Sequence, residues 1–494
     1  MRDTRSARHS RWAEHSIAAV RASIWKTLIL IAGMLAADPS ITRAQAVATH
    51  RCLSDTLRLP DPPVRIERVD TIAPGVTYTC LLRPEGPWLL HIATIDLSDR
   101  TLEVDAVRAD DRAVGRERVS AMATRLSARG ERPLVAINAD FFDLASGEIE
   151  NNHVVAGQWV KGALVTDSPH DEFDNAHTQF AIDAAGRMRI DRFALDAEVR
   201  TTGASSAVVG INYRPPRTTG LVLYTPWYGS RTLRDTSQRA TTARPRDPDA
   251  SSVGDSVVSA TRPPAPTTAP PSIAQLRADS ARSASLAATR GAVEVVLSAA
   301  GRRGDTLLYR LQERTLHPGG GTSIPAQGAV LSATGDSAIA FVRSLAEGGG
   351  EIRVRAALAP SVGVPRVAVG GWPRVVRAGR NVGIAADSLE GTFPRFSAAR
   401  HPRSAIALSR DSTRLLLVVV DGRRPWSVGM SLAELGDALL ALGAGEAMNL
   451  DGGGSSALWV DGAIVNFPSD PTGERAVGNA LVVRRRTAPP QDRR

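Results

Sequence analysis

Apolar residues fall into short strand-like runs along most of this chain and take helical spacing in two stretches. Trp88 to Asp96 and Thr101 to Val107 read as strands around the turn Ser98-Asp99-Arg100. Arg118 to Arg129 places Val119, Met122, Ala123 and Leu126 on one helical face and stops at Gly130. Pro133 to Ile137 is a short buried strand that delivers Asn138-Ala139-Asp140-Phe141-Phe142 at its end. A hairpin is expected from Thr178 to Phe193 around Asp183-Ala184-Ala185-Gly186, and a strand over Gly220 to Thr225. Strand pattern resumes at Gly291 to Leu297 and recurs at Ser404 to Leu408 and Thr413 to Val420. Ser431-Leu432-Ala433-Glu434 has the form of a capping box, because a serine and a glutamate three residues on can satisfy each other's backbone N–H. The helix it opens carries Leu432, Leu435, Leu439 and Leu442 on one face, and Gly443 closes it.

Behind that helix comes the densest signal, Asn449-Leu450-Asp451-Gly452-Gly453-Gly454-Ser455-Ser456. It reads as a strand ending in a glycine turn. A second strand, Ala457 to Val460, then enters a tight Asp461-Gly462 hairpin. Three successive glycines leave backbone N–H groups open to a ligand, and Asp451 and two serine hydroxyls flank them. The plain alternative is an ordinary mobile glycine loop. The pattern as a whole predicts an α+β protein: mixed, mostly antiparallel sheets with a few packed helices, forming a single large domain with a disordered insertion.

From about Asp235 the character changes. Pro, Ala, Ser, Thr and Arg dominate to Thr289 and aromatic residues vanish. Such a stretch buries too little apolar surface to repay ordering, so residues 235–289 are expected to be a disordered insertion. The organisation expected is a signal peptide at 1–46, an extension at 47–84, a domain over 85–234 and 290–484, and a basic tail at 485–494.

The formal charge of +9 suggests nucleic acid or a membrane surface until its distribution is read. Residues 1–46 hold seven basic and three acidic side chains, and 484–494 hold five and one, so each end contributes +4. The body between them is near neutral and has no basic stripe, which excludes nucleic acid as the expected partner. The first excess belongs to an export signal: arginines and Lys26 precede the apolar run Thr27 to Ala37, and the small-residue site Ala44-Gln45-Ala46 follows. The run is too short for a comfortable membrane span, so no stable span is expected after cleavage. An uncleaved anchor is the alternative. The location expected is periplasmic or secreted. In that oxidising setting the two cysteines, Cys52 and Cys80, are expected to form one disulfide, against two free buried thiols.

Polar clusters stand where strands end: Asn138 and Asp140; Arg403; Asp421 and Arg423; Asn449 and Asp451; Arg475 and Asn479. Singly, each reads as a cap or turn residue, and Arg423 as a solvated one. A P-loop is excluded because no Gly-Lys-Ser/Thr follows the glycines. A serine hydrolase using Ser455 lacks both the final glycine of a nucleophile elbow and an obvious histidine partner.

In order, these clusters resemble the phosphodiester glycosidase family. The matching elements are Ala136 to Phe142, Ile324 to Leu331, Gly370 to Val376, His401 to Ala407, Asp421-Gly422-Arg423, the capped helix, Asn449 to Ser456 and Arg475 to Leu481. They span roughly 85–484, and Asp140 departs from them where a glycine is more usual. The resemblance implies hydrolysis of the bond between a sugar's anomeric carbon and a phosphodiester. Phosphate leaves readily, so the site must stabilise its charge and an oxocarbenium-like centre. Arg403 and Arg475, with the N–H groups of Gly452, Gly453, Gly454 and Ser455, are the expected phosphate ligands. Asp451, with Asp140 behind it, is the expected carboxylate. Asn138 and Asn479 are expected to orient sugar hydroxyls, with Asp421 and Asn449 completing the substrate site. The partner implied is a glycosyl phosphodiester or another anionic glycan. No cofactor is expected; a calcium ion held by the aspartates is conceivable on charge, but their spacing fits no recognised loop. The rival function is non-catalytic binding of an envelope polysaccharide.

Overall fold

Leu415 to Val420 is apolar at every position, as a strand covered on both faces must be. In a computed structural model, which describes residues 65–163, 176–214, 218–234 and 291–486, this segment is the buried middle of an eight-stranded antiparallel sheet. The order across it is Ile66–Ala73, Val76–Arg83, Trp88–Asp96, Arg414–Val420, Arg403–Ser409, Ala444–Leu450, Arg374–Arg377 and Arg380–Asn381. The helix Leu432–Ala441 lays Leu432, Leu435 and Leu439 against Val375, Ala405, Ala407, Leu416 and Val418 of this sheet. Its capping box is formed: Ser431 Oγ accepts the Glu434 N–H at 3.2 Å, and Glu434 Oε2 accepts the Ser431 N–H at 2.9 Å.

A five-stranded sheet runs Ala463–Ile464, Leu458–Val460, Arg132–Asn138, Asn479–Arg485 and Leu102–Arg108. The expected helix, observed as Val119–Ala128, buries Val119, Met122, Ala123 and Leu126 against it. The Asp461-Gly462 turn joins Leu458–Val460 to Ala463–Ile464, with both residues at positive φ (40° and 106°).

The remaining strands form a third assembly that the sequence pattern did not reveal. Ala194–Arg200, Glu351–Ala359, Thr306–Leu311, Val293–Arg303, Gly328–Thr334, Gly220–Tyr224 and Ser205–Ile211 pair in that order, and Ser205–Ile211 returns to Ala194–Arg200. Seven strands thus close into a barrel, which leaves none of them as an open edge. Its core takes alternate residues from facing strands, including Leu195, Ala197 and Val199, Leu221 and Leu223, Ile352, Val354, Ala356 and Leu358. The helix Asp336–Gly348, also unanticipated, adds Ala338, Val342 and Leu345 to the same cluster. The hairpin expected near Asp183 is Thr178–Asp183 with Met188–Arg192, at the end of the strand path that continues from the barrel. The α+β class holds with mostly antiparallel pairing; Ser205–Ile211 with Gly220–Tyr224 is the parallel pair. The barrel is the addition.

The expected extension reaches into the first sheet, since Ile66–Ala73 and Val76–Arg83 are its outer strands. The signal peptide, the insertion over 235–289 and Cys52 lie outside the described residues. Cys80 is disulfide-bonded, and the chain has two cysteines.

Candidate active site

Strand register brings the polar clusters to neighbouring sheet ends. In the first sheet Arg403 pairs with Val420, the residue before Asp421, and Ser404 pairs with Leu450, the residue before Asp451. In the five-stranded sheet Asn138 pairs with Ala480, and Arg108 with Asn479. Asn138 joins the two sheets. Its amide oxygen accepts Ser404 Oγ at 2.8 Å and the Ala457 N–H at 3.1 Å, while its Nδ2 donates to the Asp451 carbonyl at 2.6 Å. It is fully buried and most of its hydrogen-bonding capacity is used, so it braces the glycine turn rather than reaching a sugar.

The turn itself is a single 3₁₀ segment, Gly453–Ser455, with Gly453 at φ +60°. Two guanidinium groups from separate loops close over it. A β-carbon on Gly453 would stand 3.2 Å from Arg423 Nη2; one on Gly454 would stand 2.2 Å from Arg475 Nη2 and 2.0 Å from Asp470 Oδ1. The glycines are therefore required by close approach as well as by backbone conformation. Arg475 donates to both oxygens of Asp470, at 2.7 and 2.9 Å, and to Ser455 Oγ at 3.3 Å. Arg423 is exposed and donates to Ser469 Oγ at 3.1 Å. Asp451, half-buried at the start of the turn, anchors its N–H on the Ala139 carbonyl at 2.8 Å.

Asp421 fixes the loops that carry these arginines. It is buried; Oδ2 meets His91 Nε2 at 3.0 Å, and Oδ1 accepts the Phe467 N–H at 3.0 Å. His91 continues through Nδ1 to Tyr78 Oη at 2.7 Å. The carboxylate thereby ties the turn bearing Arg423 to the 466–470 loop bearing Ser469 and Asp470. Expected in the substrate site, Asp421 is buried here and presents no free surface of its own.

Arg403 also departs from expectation. It is 1 % exposed, donates through Nε to the Met430 carbonyl at 2.8 Å and through Nη2 to those of Phe396 and Ala399 at 2.7 and 3.1 Å, and lies over the Phe396 ring. Burial pushes its pKa down to about 9. It holds the chain around 396–399 and Met430 instead of gripping phosphate. Asp140 is likewise interior. Asn151 donates its backbone N–H to Oδ2 at 2.9 Å and its side-chain Nδ2 to Oδ1 at 2.7 Å, and burial raises the carboxyl to about 7. Asn479 accepts the Asp140 N–H at 2.9 Å and its Nδ2 lies 3.3 Å from His153 Nδ1, so it too is committed internally. His153 is fully buried, and burial with Arg108 nearby pushes it down to about 3, leaving it neutral. Asn449 donates Nδ2 to the Trp372 carbonyl at 2.7 Å, while its buried Oδ1 has no hydrogen-bond partner among the described residues.

Of the expected residues, Asp451, Gly452, Gly453, Gly454, Ser455 and Arg475 lie together at the turn. Asn138, Asp140, Asp421, Arg403, Asn449 and Asn479 form the buried frame beneath or beside it. Arg423 and Asp470 belong to the turn and went unselected. Arg423 sits in a common turn dipeptide context, and Asp470 lies in Ser469-Asp470-Pro471, which reads as loop. Next to Asn449, Trp372 is buried, stacked between His177 and Phe396 at centroid distances of 5.2 and 5.0 Å, with Phe141 edge-on at 5.9 Å. Among the described residues no group of three or more His, Cys, Asp or Glu side chains could hold a metal ion.

Comparison with known proteins bears on this geometry. The model of the phosphodiester glycosidase family matches residues 308–484. The SPbeta prophage-derived protein YomE of Bacillus subtilis is 40% identical over 84 residues, which are 17% of this chain and 13% of that protein. A crystal structure of a hypothetical protein from Synechocystis aligns over 86% of this chain and 64% of its own, with a TM-score of 0.59 and 19% identity. The structure of a Burkholderia pseudomallei protein described as exported aligns over 81% of this chain and 74% of its own, with a TM-score of 0.53 and 23% identity. The two structures share the fold, and the chain spans less than two thirds of the first relatives' lengths. The matched segment contains the capped helix, the glycine turn and both arginines that overlie it. Over residues 308–484, this chain is thus similar to the phosphodiester glycosidase family.

Proposed function

We propose that this chain is an exported hydrolase that cleaves the bond between a sugar's anomeric carbon and a phosphodiester, in envelope or exopolysaccharide metabolism. The observation that carries the reading is the convergence of Arg423 and Arg475 over glycines that have no side chains of their own. Two guanidinium groups and nearby N–H donors suit a phosphodiester, whose charge grows as it leaves the sugar. Arg475 is held in place by Asp470, which leaves its remaining donors oriented toward the turn without having to be ordered by substrate. A phosphodiester needs little protonation to depart, so the acid partner of an ordinary glycosidase is dispensable. Asp451 supplies the carboxylate at the anomeric carbon, stabilising positive charge there and either attacking it or taking a proton from water.

The test is Asp451→Asn against a nitrophenyl-type glycosyl phosphodiester. A fall of about 1000-fold or more in turnover with an unchanged melting temperature supports the reading. Near-normal turnover removes Asp451 from the mechanism. An unaltered chain that binds anionic glycan yet turns over no member of a sugar-1-phosphodiester panel is a binding protein.

A further inference from the structure

A second basic concavity lies at the other end of the strand that feeds the glycine turn. Ala444–Leu450 leads into the turn at its C-terminal end; near its start, Gly445 and Glu446 line a cleft of about 790 Å³. At about 3.3 Å per residue the two places are roughly 20 Å apart. The cleft forms where Met188–Arg192 meets the Arg374–Arg377 and Arg380–Asn381 hairpin and the turn after Arg403–Ser409. Its volume falls within the range of ligand sites.

Four arginines line it: Arg189, Arg374, Arg377 and Arg410. Two carboxylates oppose them. Asp191 lies 3.3 Å from Arg189 and 3.9 Å from Arg374, and Glu446 lies 3.6 Å from Arg374. Arg374 is 12% exposed, bridges the walls by donating to the Ile190 carbonyl, and has no partner for Nε among the described residues. Arg377 and Arg410 make no ion pair among the described residues, so the cleft keeps two uncompensated positive charges. The backbone around it is pinned before any ligand arrives: the Ala378 N–H donates to Glu446 Oε1 at 2.9 Å, Gly379 N–H to Gly445 O at 2.8 Å and Arg410 N–H to Gly443 O at 3.2 Å. A pre-set cleft loses little ordering entropy on binding.

We infer that this cleft binds a phosphoryl group, carried on a sugar or free, through Arg377 and Arg410. A phosphate monoester brings about two negative charges and acceptor oxygens that match guanidinium forks. The inference stands independently of the catalytic reading.

Titration of the full chain at low ionic strength with inorganic phosphate, glucose 6-phosphate and oligogalacturonate tests it. Arg377→Gln with Arg410→Gln is expected to weaken phosphate and glucose 6-phosphate binding at this site by about 10-fold or more. Hydrolysis of a small glycosyl phosphodiester should stay within about twofold, and the melting temperature should be unchanged because both side chains are exposed. Arg377→Lys with Arg410→Lys should recover part of the affinity, since charge returns without the fork. Tighter binding of glucose 6-phosphate than of phosphate assigns the site to a phosphorylated sugar, and equal binding assigns it to free phosphate. Unchanged affinity in the glutamine pair, or oligogalacturonate bound as tightly as the phosphates, overturns the inference. An unaltered chain without hydrolytic activity would refute the catalytic reading and leave this one intact.

Discussion

Asp470 grips the guanidinium of Arg475 with both carboxylate oxygens, at 2.7 and 2.9 Å, directly above the position where Gly454 lacks a β-carbon. A bidentate pair fixes the plane of the guanidinium as well as its place. Asp470→Asn breaks the fork while keeping the side chain's size. Misplacing a positioned group by about 1 Å costs on the order of 100-fold, so kcat/KM on a glycosyl phosphodiester should fall by about that factor. The melting temperature should move little, because the pair is partly exposed. Steady-state kinetics beside thermal unfolding separate the two effects.

Gly454→Ala tests the close approach from the other side. The added carbon meets the far ends of Asp470 and Arg475, which can swing away. Stability should therefore drop by only about 1 kcal/mol, while activity falls at least about tenfold as the pair is displaced. A variant that folds and hydrolyses normally would show that the pair's place over the turn is immaterial.

Asp140 makes stability depend on pH. Its folded-state pKa of about 7 stands above the ordinary 3.8, so the folded protein holds this proton more tightly than the unfolded chain does. The contribution is fully present below about pH 4 and is lost as pH rises through 7, with an upper bound of roughly 4 kcal/mol. Relative to Asp140→Asn, the unaltered protein should lose stability between pH 5 and pH 8 in denaturant titrations. Parallel curves for the two would remove Asp140 as the cause.

Asp421→Ala should be costlier. It strips a partner from each of His91, the Phe467 N–H and Asn466 around a buried carboxylate. A loss of about 3 kcal/mol in urea unfolding is expected, with activity reduced because the loops carrying Arg423 and Asp470 lose their common anchor. Asp421→Asn keeps an acceptor and should lie between the two.

Much of the local structure is legible in the chain. Ser431 and Glu434 form a capping box because the two residues that satisfy each other are three positions apart, and no distant partner is needed. The face of Val119, Met122, Ala123 and Leu126 announces its helix by period alone. Asp461-Gly462 marks its hairpin because few other dipeptides tolerate two positive φ angles. The barrel was not legible: it joins Ala194 to Ala359 and Gly220 to Thr334 across the long course of the chain, and an alternating strand does not say which other strand it will face.

The same division runs through the site. Sequence by itself determined that a bare glycine turn follows a capped helix, with Asp451 at its head and polar residues at the ends of neighbouring strands. Tertiary structure alone decided which of those polar groups reach the turn. Arg403 and Arg423 are both arginines beside strand ends, yet one is drawn inward by the carbonyls of Met430, Phe396 and Ala399 and the other stands over Gly453. A side chain's type is local to the sequence. Its direction is set by packing partners contributed from elsewhere in the chain, and here that direction separates a buried residue from one that stands over the turn.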